Sequence, residues 1–249
     1  GFTLTKIPVH SDGLNIEKLP VNIPSAVYVS PSNQFPTGAV MPIGRRYRLL
    51  DWAMKNHSII LEDDYDSELR YFGKPVPALQ GLDRSDSVVY LGSFSSTLFP
   101  AIKISYMVLP NHIVDIFQKI KNDYDQTCSK EEQLALAMFM EKGYYTTNIK
   151  KLRNLYARKL QNVLAAFNKY GKNFVTPQNT SSGINIIINV KTEKNTNLLC
   201  QLAATLSVKV MPMSSLIQED RAELIFYYNQ IPLDEIDKTI KDLILLWTK

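Results

Sequence analysis

Cysteine is scarce in this sequence. Cys128 and Cys200 are the only two among 249 residues, and they lie far apart, outside any CxxC or Cys/His metal spacing. This excludes a disulfide framework and a zinc module, and fits two buried thiols in a reducing compartment, the cytoplasm. Histidine is equally sparse: His10, His57 and His112 stand alone, so metal centres and Ser/His/Asp nucleophilic sites have little to build on. No apolar run approaches the roughly 20 residues that span a bilayer, which leaves no membrane partner. Gly1 to Lys6 carries no signal-peptide pattern and reads as an entry in mid-fold. Neither sign of charge dominates: 28 Lys and Arg against 24 Asp and Glu leave +4, with no basic run beyond Arg45–Arg46 or Lys150–Lys151. Charge therefore does not demand nucleic acid. Neither GxGxxG after a strand nor GxxxxGK[ST] occurs, so those nucleotide folds lack their signatures.

What is present is globular. Hydrophobic residues at 45% and charged residues at 21% sit near the averages of folded domains, and the chain is long enough to bury a sizeable core. Short β-rich runs alternate with helical patterns in the first half, which predicts βαβ units around a mostly parallel sheet. Strands are expected at Ser25 to Ser30, Ser58 to Leu61, Ser87 to Gly92 and Lys103 to Leu109. Tyr47, Leu50 and Met54 mark a crossover helix over Ile43 to Lys55. Further helices are read over Glu131 to Met140 and along Leu152, Leu155, Tyr156, Leu160, Val163, Leu164 and Phe167. The second half predicts a small α+β domain with strands Ile184 to Val190, Val208 to Met213 and Glu223 to Tyr228, and a helix at Leu198 to Leu206. A last helix follows Pro232, with Asp234 in its first turn and Ile236, Ile240, Leu243, Ile244 and Trp247 as its buried stripe. The division expected is 1–150 and 151–249.

In an open parallel sheet ligands bind outside the carboxyl ends of the strands. The first exit carries Pro31-Ser32-Asn33-Gln34-Phe35-Pro36-Thr37-Gly38, rich in amides and turn formers. The second carries Glu62-Asp63-Asp64-Tyr65-Asp66-Ser67-Glu68, either a solvated acidic face or carboxylates at a ligand crevice that would stabilise a protonated ring nitrogen. The third carries Gly92-Ser93-Phe94-Ser95-Ser96-Thr97, with Lys103 beyond it: a Ser/Thr turn, or hydroxyls and a cation suited to a phosphate. Acid, amide and phosphate-type groups thus fall at successive exits of one sheet.

These three runs, together with Pro77-Ala78-Leu79-Gln80-Gly81-Leu82-Asp83 and Leu98-Phe99-Pro100, resemble the aminotransferase-like domain of MocR/GabR-type bacterial transcription regulators. The resemblance spans nearly the whole chain and weakens after about Thr180. It implies a fold type I aminotransferase-like α/β fold, made of a partial large domain and a small C-terminal α+β domain. It further implies a small-molecule effector, a homodimer, and DNA contacts through an N-terminal winged helix-turn-helix that this sequence does not contain. The cofactor it implies is pyridoxal 5'-phosphate. In this resemblance Asp63 corresponds to the acid that pairs with the pyridine nitrogen, and Tyr65 to the phenol near the 3-oxygen. Ser93 and Ser95 correspond to phosphate-side hydroxyls, and Asn33 to the amide at the first exit.

Three departures matter. Ser96 occupies the position of the Schiff-base lysine, and a hydroxyl cannot form an imine, so cofactor would be held non-covalently, if at all, and transamination is not expected. Lys103 stands where the family has a phosphate-binding arginine, keeping charge but losing the bidentate fork. The carboxylate-binding arginine falls near Glu223, with Arg221 as a substitute two residues earlier. The sequence also starts late relative to the family's large domain, whose upstream half supplies a phosphate loop and a ring-stacking aromatic. The expectation is a catalytically inactive, effector-sensing domain. The alternatives are a fragment or lysine mutant of a pyridoxal-phosphate aminotransferase, with Ser96 engineered, and an interaction module that keeps the fold as a dimerisation platform.

Overall fold

The computed structural model describes all residues except 2, 73–75, 179, 181–182 and 214–220. The chain divides into two compact units. The first comprises Gly1–Phe35, Ala39–Glu68 and Lys74–Ile149, the second Pro36–Gly38, Leu69–Gly73 and Lys150–Lys249.

The first unit opens with a short hairpin, β1 (Val9–His10) and β2 (Gly13–Leu14), where Gly13 takes a φ of 103° that side chains disfavour. β3 (Ala26–Val29) feeds α1 (Ile43–Lys55), whose buried stripe is Arg46, Leu49, Leu50 and Ala53, the 3.6-residue period of one helix face. Asn56 stops the helix by donating its side-chain amide to the Trp52 carbonyl at 2.8 Å, and His57 turns the chain out at φ 48°. β4 (Ile59–Asp64) then pairs parallel with β3. After α2 (Leu79–Leu82), β5 (Val88–Ser93) adds on parallel to β4.

The fourth strand, β6 (Ser105–Val108), runs antiparallel to β5 and completes the order β3-β4-β5-β6. Residues 94–104 contain only a single 3₁₀ turn, Pro100–Ile102, too little chain for the crossover a parallel return needs. Gly92, opposite Tyr106, is covered by that ring, so close that a Cβ would lie 2.3 Å from it. Three helices follow: α3 (Asn111–Ile120), α4 (Lys130–Glu141), capped by Ser129 accepting from the Glu132 amide, and α5 (Tyr144–Tyr170).

The second unit is an antiparallel sheet with helices over its apolar face. β7 (Val175–Gln178), β8 (Asn185–Lys191), α6 (Thr196–Thr205), β9 (Val210–Pro212), β10 (Arg221–Tyr227) and α7 (Ile236–Thr248) give the strand order β7-β8-β10-β9. Ile186, Ile188 and Val190 alternate on β8 with Leu224 and Phe226 on β10, and Phe167 of α5 meets Phe226 edge-on at 5.2 Å. α7 buries Ile236, Ile240, Leu243, Ile244 and Trp247, the stripe expected from spacing. Its start differs: Asp234 precedes the helix, and Asp237 holds the first turn. The cysteines also differ from expectation, since Cys128 and Cys200 are free but only half-buried. Among the described residues no helix is long and apolar enough to cross a membrane.

Candidate ligand site at the strand ends of the first unit

The acidic run is not a solvated face, and it begins within β4, whose last three residues are Glu62, Asp63 and Asp64. Strand pleat sends Glu62 and Asp64 to one side of the sheet and Asp63 to the other. Glu62, with no exposure, lies 3.7 Å from the equally buried Arg46 of α1 and accepts from the Leu79 and Gln80 amides at 2.8 and 2.9 Å. Burial pushes the Glu62 carboxyl up, opposed by those two amides and by Arg46. The Arg46 guanidinium donates to the Met41, Pro77 and Pro31 carbonyls at 3.0, 2.9 and 2.8 Å, fastening both ends of the loop between Pro31 and Met41. Asp64 accepts from the Tyr90 hydroxyl at 2.7 Å, while its Oδ1, like Glu68 Oε2, is buried without a hydrogen-bond partner.

On the opposite face Asp63 is half-buried and accepts from the Tyr28 hydroxyl, brought from β3 by the parallel register that sets Tyr28 beside Leu61. Burial and this carboxylate push the Tyr28 phenol up to about 12. Asp63 pairs with Leu91 in the register, and two residues on, Ser93 lies on the same face of β5. Tyr65 donates to the Asn33 carbonyl at 2.7 Å, and burial, with Asp66 and Asp63 nearby, raises its phenol. The Asn33 side-chain amide donates to Asp66 Oδ2 at 2.6 Å.

The hydroxyl-rich turn is a tight one. The Ser95 amide donates to Ser93 Oγ at 3.3 Å, and the Thr97 and Leu98 amides both reach the Phe94 carbonyl at 3.2 and 2.9 Å. Thr97 is fully buried: its hydroxyl meets Tyr145 at 3.0 Å, and its carbonyl accepts from Asn148 at 2.8 Å. Ser93, Ser95 and Ser96 are each half-buried. Lys103, exposed at φ 48°, precedes β6 rather than lying within it, and the Phe94 amide donates to the carbonyl of its neighbour Ile104 at 3.1 Å.

Comparison with known proteins gives this arrangement its context. No family model matches the chain. It is similar to the HTH-type transcriptional regulator YdeL of Bacillus subtilis, described as uncharacterized, with 41% identity over 213 residues, 86% of this chain and 46% of that protein. It is similar also to the probable rhizopine catabolism regulatory protein MocR of Rhizobium meliloti, with 34% identity over 214 residues, 86% and 43% of the two chains. Among solved structures it superposes on Pyrococcus horikoshii kynurenine aminotransferase with a TM-score of 0.79 and 24% identity, over 97% of this chain and 63% of that one. The chain resembles the MocR/GabR-type regulators over most of its own length, and its fold is that of the fold type I aminotransferases. It spans about half the length of the curated relatives it matches.

Within the MocR/GabR-type framework, Asp63, Tyr65, Asn33, Ser93, Ser95, Ser96 and Lys103 all lie in the first unit, at or just beyond the strand ends. Arg221 opens β10 in the second unit, opposite Lys191 in the register, and Glu223 follows opposite Asn189. Among the described residues no group of three His, Cys, Asp or Glu is placed to hold a metal ion. Sequence reasoning missed Tyr28, Arg46, Asp66 as the partner of Asn33, and the pair Tyr145 and Asn148. Arg46 left a signal, an arginine inside the apolar stripe that Leu49, Leu50 and Ala53 continue. Tyr145 and Asn148 left none, since they reach the turn from a helix about fifty residues further along the chain.

Proposed function

We propose that this chain is the effector-sensing, aminotransferase-like part of a MocR/GabR-type regulator, which holds a pyridoxal-phosphate-type ligand without a covalent bond and performs no transamination. The observation that carries the reading is the placement of Asp63 and Ser93 on one face of the sheet at its carboxyl ends, with Asp63 matched to a neutral phenol rather than to a cation. A half-buried carboxylate so placed remains an acceptor for a protonated ring nitrogen. Ser93, Ser95 and Ser96 offer donors for phosphate oxygens and Lys103 a positive charge. The residues thus fit pyridoxal phosphate at its ring-nitrogen and phosphate ends. When bound, that group supplies an aldehyde able to condense with amines, and Ser96 has no amine to offer it.

The remaining roles rest on the family. A small amine or amino acid is the effector class, a second copy of the chain completes the assembly, and DNA is read by a separate winged-helix domain. The rival reading is an aminotransferase piece altered at residue 96, favoured by 25% identity over 249 residues to aromatic-amino-acid aminotransferase 1 of Thermococcus litoralis.

Calorimetric titration with pyridoxal phosphate, with absorbance recorded alongside, tests the proposal. Binding at roughly micromolar concentration without the absorbance of a covalent adduct is expected, weakened about tenfold or more by Asp63→Ala, as loss of a charge-assisted contact predicts. Absence of heat at millimolar ligand overturns it. Turnover with an amino donor in Ser96→Lys would instead support the enzyme reading.

A further inference from the structure

Two hydrogen bonds in series join the loop after β3 to the turn after β4. The Tyr65 hydroxyl donates to the backbone carbonyl of Asn33 at 2.7 Å, and the side-chain amide of the same Asn33 donates to Asp66 Oδ2 at 2.6 Å. Asp66 is 4% exposed and Asn33 9%, so neither bond is diluted by free exchange with water. A phenol has one proton. While Tyr65 gives it to Asn33, Tyr65 can accept from a ligand but cannot donate to one.

We propose that Asp66 is a positioning residue for the candidate ligand site: its carboxylate orients Asn33, and through the Asn33 backbone it fixes the Tyr65 hydroxyl away from the ligand, so that the charge on Asp66 sets whether Tyr65 is held or free to donate. This rests on the reading of Tyr65 as a ligand-facing phenol. A bond to an ionised acceptor is about twice as strong as the same bond to a neutral one, so protonation of Asp66 loosens the first link and, through it, the second.

The surroundings give that charge a reason to change near neutrality. Burial pushes the Asp66 carboxyl up to about 7, and the bond from Asn33 opposes the rise. The charged groups that press on it are acids: Asp64 and Asp63 from β4, and Glu68 from the turn that follows. All three favour the protonated form. Ionised Asp66 is therefore tolerated largely through Asn33, which is what a latch that releases on protonation needs.

The test uses the full chain with carbon-13 in aspartate carboxyls and tyrosine rings, followed by NMR from about pH 5 to about pH 9, a range that spans a raised carboxylate and stays below ordinary tyrosine titration. Asp66→Asn and Tyr65→Phe assign the two signals. The Asp66 carboxyl is expected to titrate with a midpoint near 7, with the Tyr65 ring signal shifting at the same midpoint. In Asp66→Asn, which can still accept from Asn33 but carries no charge, the Tyr65 shift disappears. In Asn33→Ala, which keeps the backbone carbonyl, Asp66 still titrates and Tyr65 no longer follows.

A Tyr65 signal that stays flat while Asp66 titrates, or an Asp66 carboxyl signal already that of the ionised form at about pH 5 and flat above it, overturns the proposal. A second arm adds pyridoxal phosphate at pH 8, where Asp66→Asn is expected to bind several-fold more tightly than the unaltered chain. No binding by either protein would sink the sensor reading while leaving the latch readable in the ligand-free titration. Equal binding by both would show that the latch does not oppose the ligand, and would overturn that part of the proposal.

Discussion

Truncating Arg46 to methionine would leave Glu62 buried beside an apolar side chain, with two backbone amides as its remaining partners. Breaking one side of a buried ion pair costs about 3–5 kcal/mol, so urea denaturation of Arg46→Met should show a loss of that size, and Glu62→Gln a smaller one. A loss under about 1 kcal/mol would mean that Glu62 is protonated in the fold, the direction in which burial pushes it. Asp66 makes a second prediction, with the opposite dependence from a salt-bridged acid. Its folded-state pKa is raised from 3.8 to about 7, so its favourable contribution is complete below the ordinary value and lost as pH rises through about 7. Stability measured in urea should fall over that window on account of this group, and the fall should be absent in Asp66→Asn. Neither residue was identified from sequence for these roles. An acidic run normally marks a wetted surface, and only the partners contributed from other elements, Arg46, Tyr90, Asn33 and Tyr28, reverse that meaning.

At the level of elements, legibility follows periodicity. α7 is legible because its buried stripe repeats at helical spacing and nothing in the sequence competes, whereas for α1 the spacing gives the span and not the face: of Tyr47, Leu50 and Met54 only Leu50 is buried, and Tyr47 and Met54 are exposed. β4 was read too short, ending at Leu61, because Glu62, Asp63 and Asp64 look unfit for a strand until their cross-element partners are known. α3 escaped notice despite one apolar side, since none of its residues is buried in this chain. β7, four residues with a proline in it, gave too little pattern to distinguish from a loop. The stripe of α7 can be tested directly. Trp247 is almost wholly buried and donates its indole N–H to the Leu199 carbonyl at 3.0 Å, tying α7 to the first turn of α6. Trp247→Ala should destabilise the second unit by about 3–5 kcal/mol, as loss of a buried large aromatic does, read as an earlier loss of near-ultraviolet ellipticity.

For the whole molecule, the order of strand exits was legible while the contents of each exit were not. The succession of amide loop, acidic turn and hydroxyl turn follows from chain order alone, whereas the hydroxyl of Thr97 is already taken by Tyr145 and the acids are divided between two faces. The two units also end their sheets differently. In the second, both outer strands carry a proline, Pro177 in β7 and Pro212 in β9. A proline offers no N–H and fixes its own φ, so a passing extended segment finds an interrupted ladder on either side. The small sheet is thereby closed to growth without a covering element, which guards a strongly apolar set of strands against fibril templating. Replacing both prolines with valine should leave the fold intact and shorten the lag before thioflavin-positive aggregates form at elevated temperature. An unchanged lag would place the protection elsewhere in the chain.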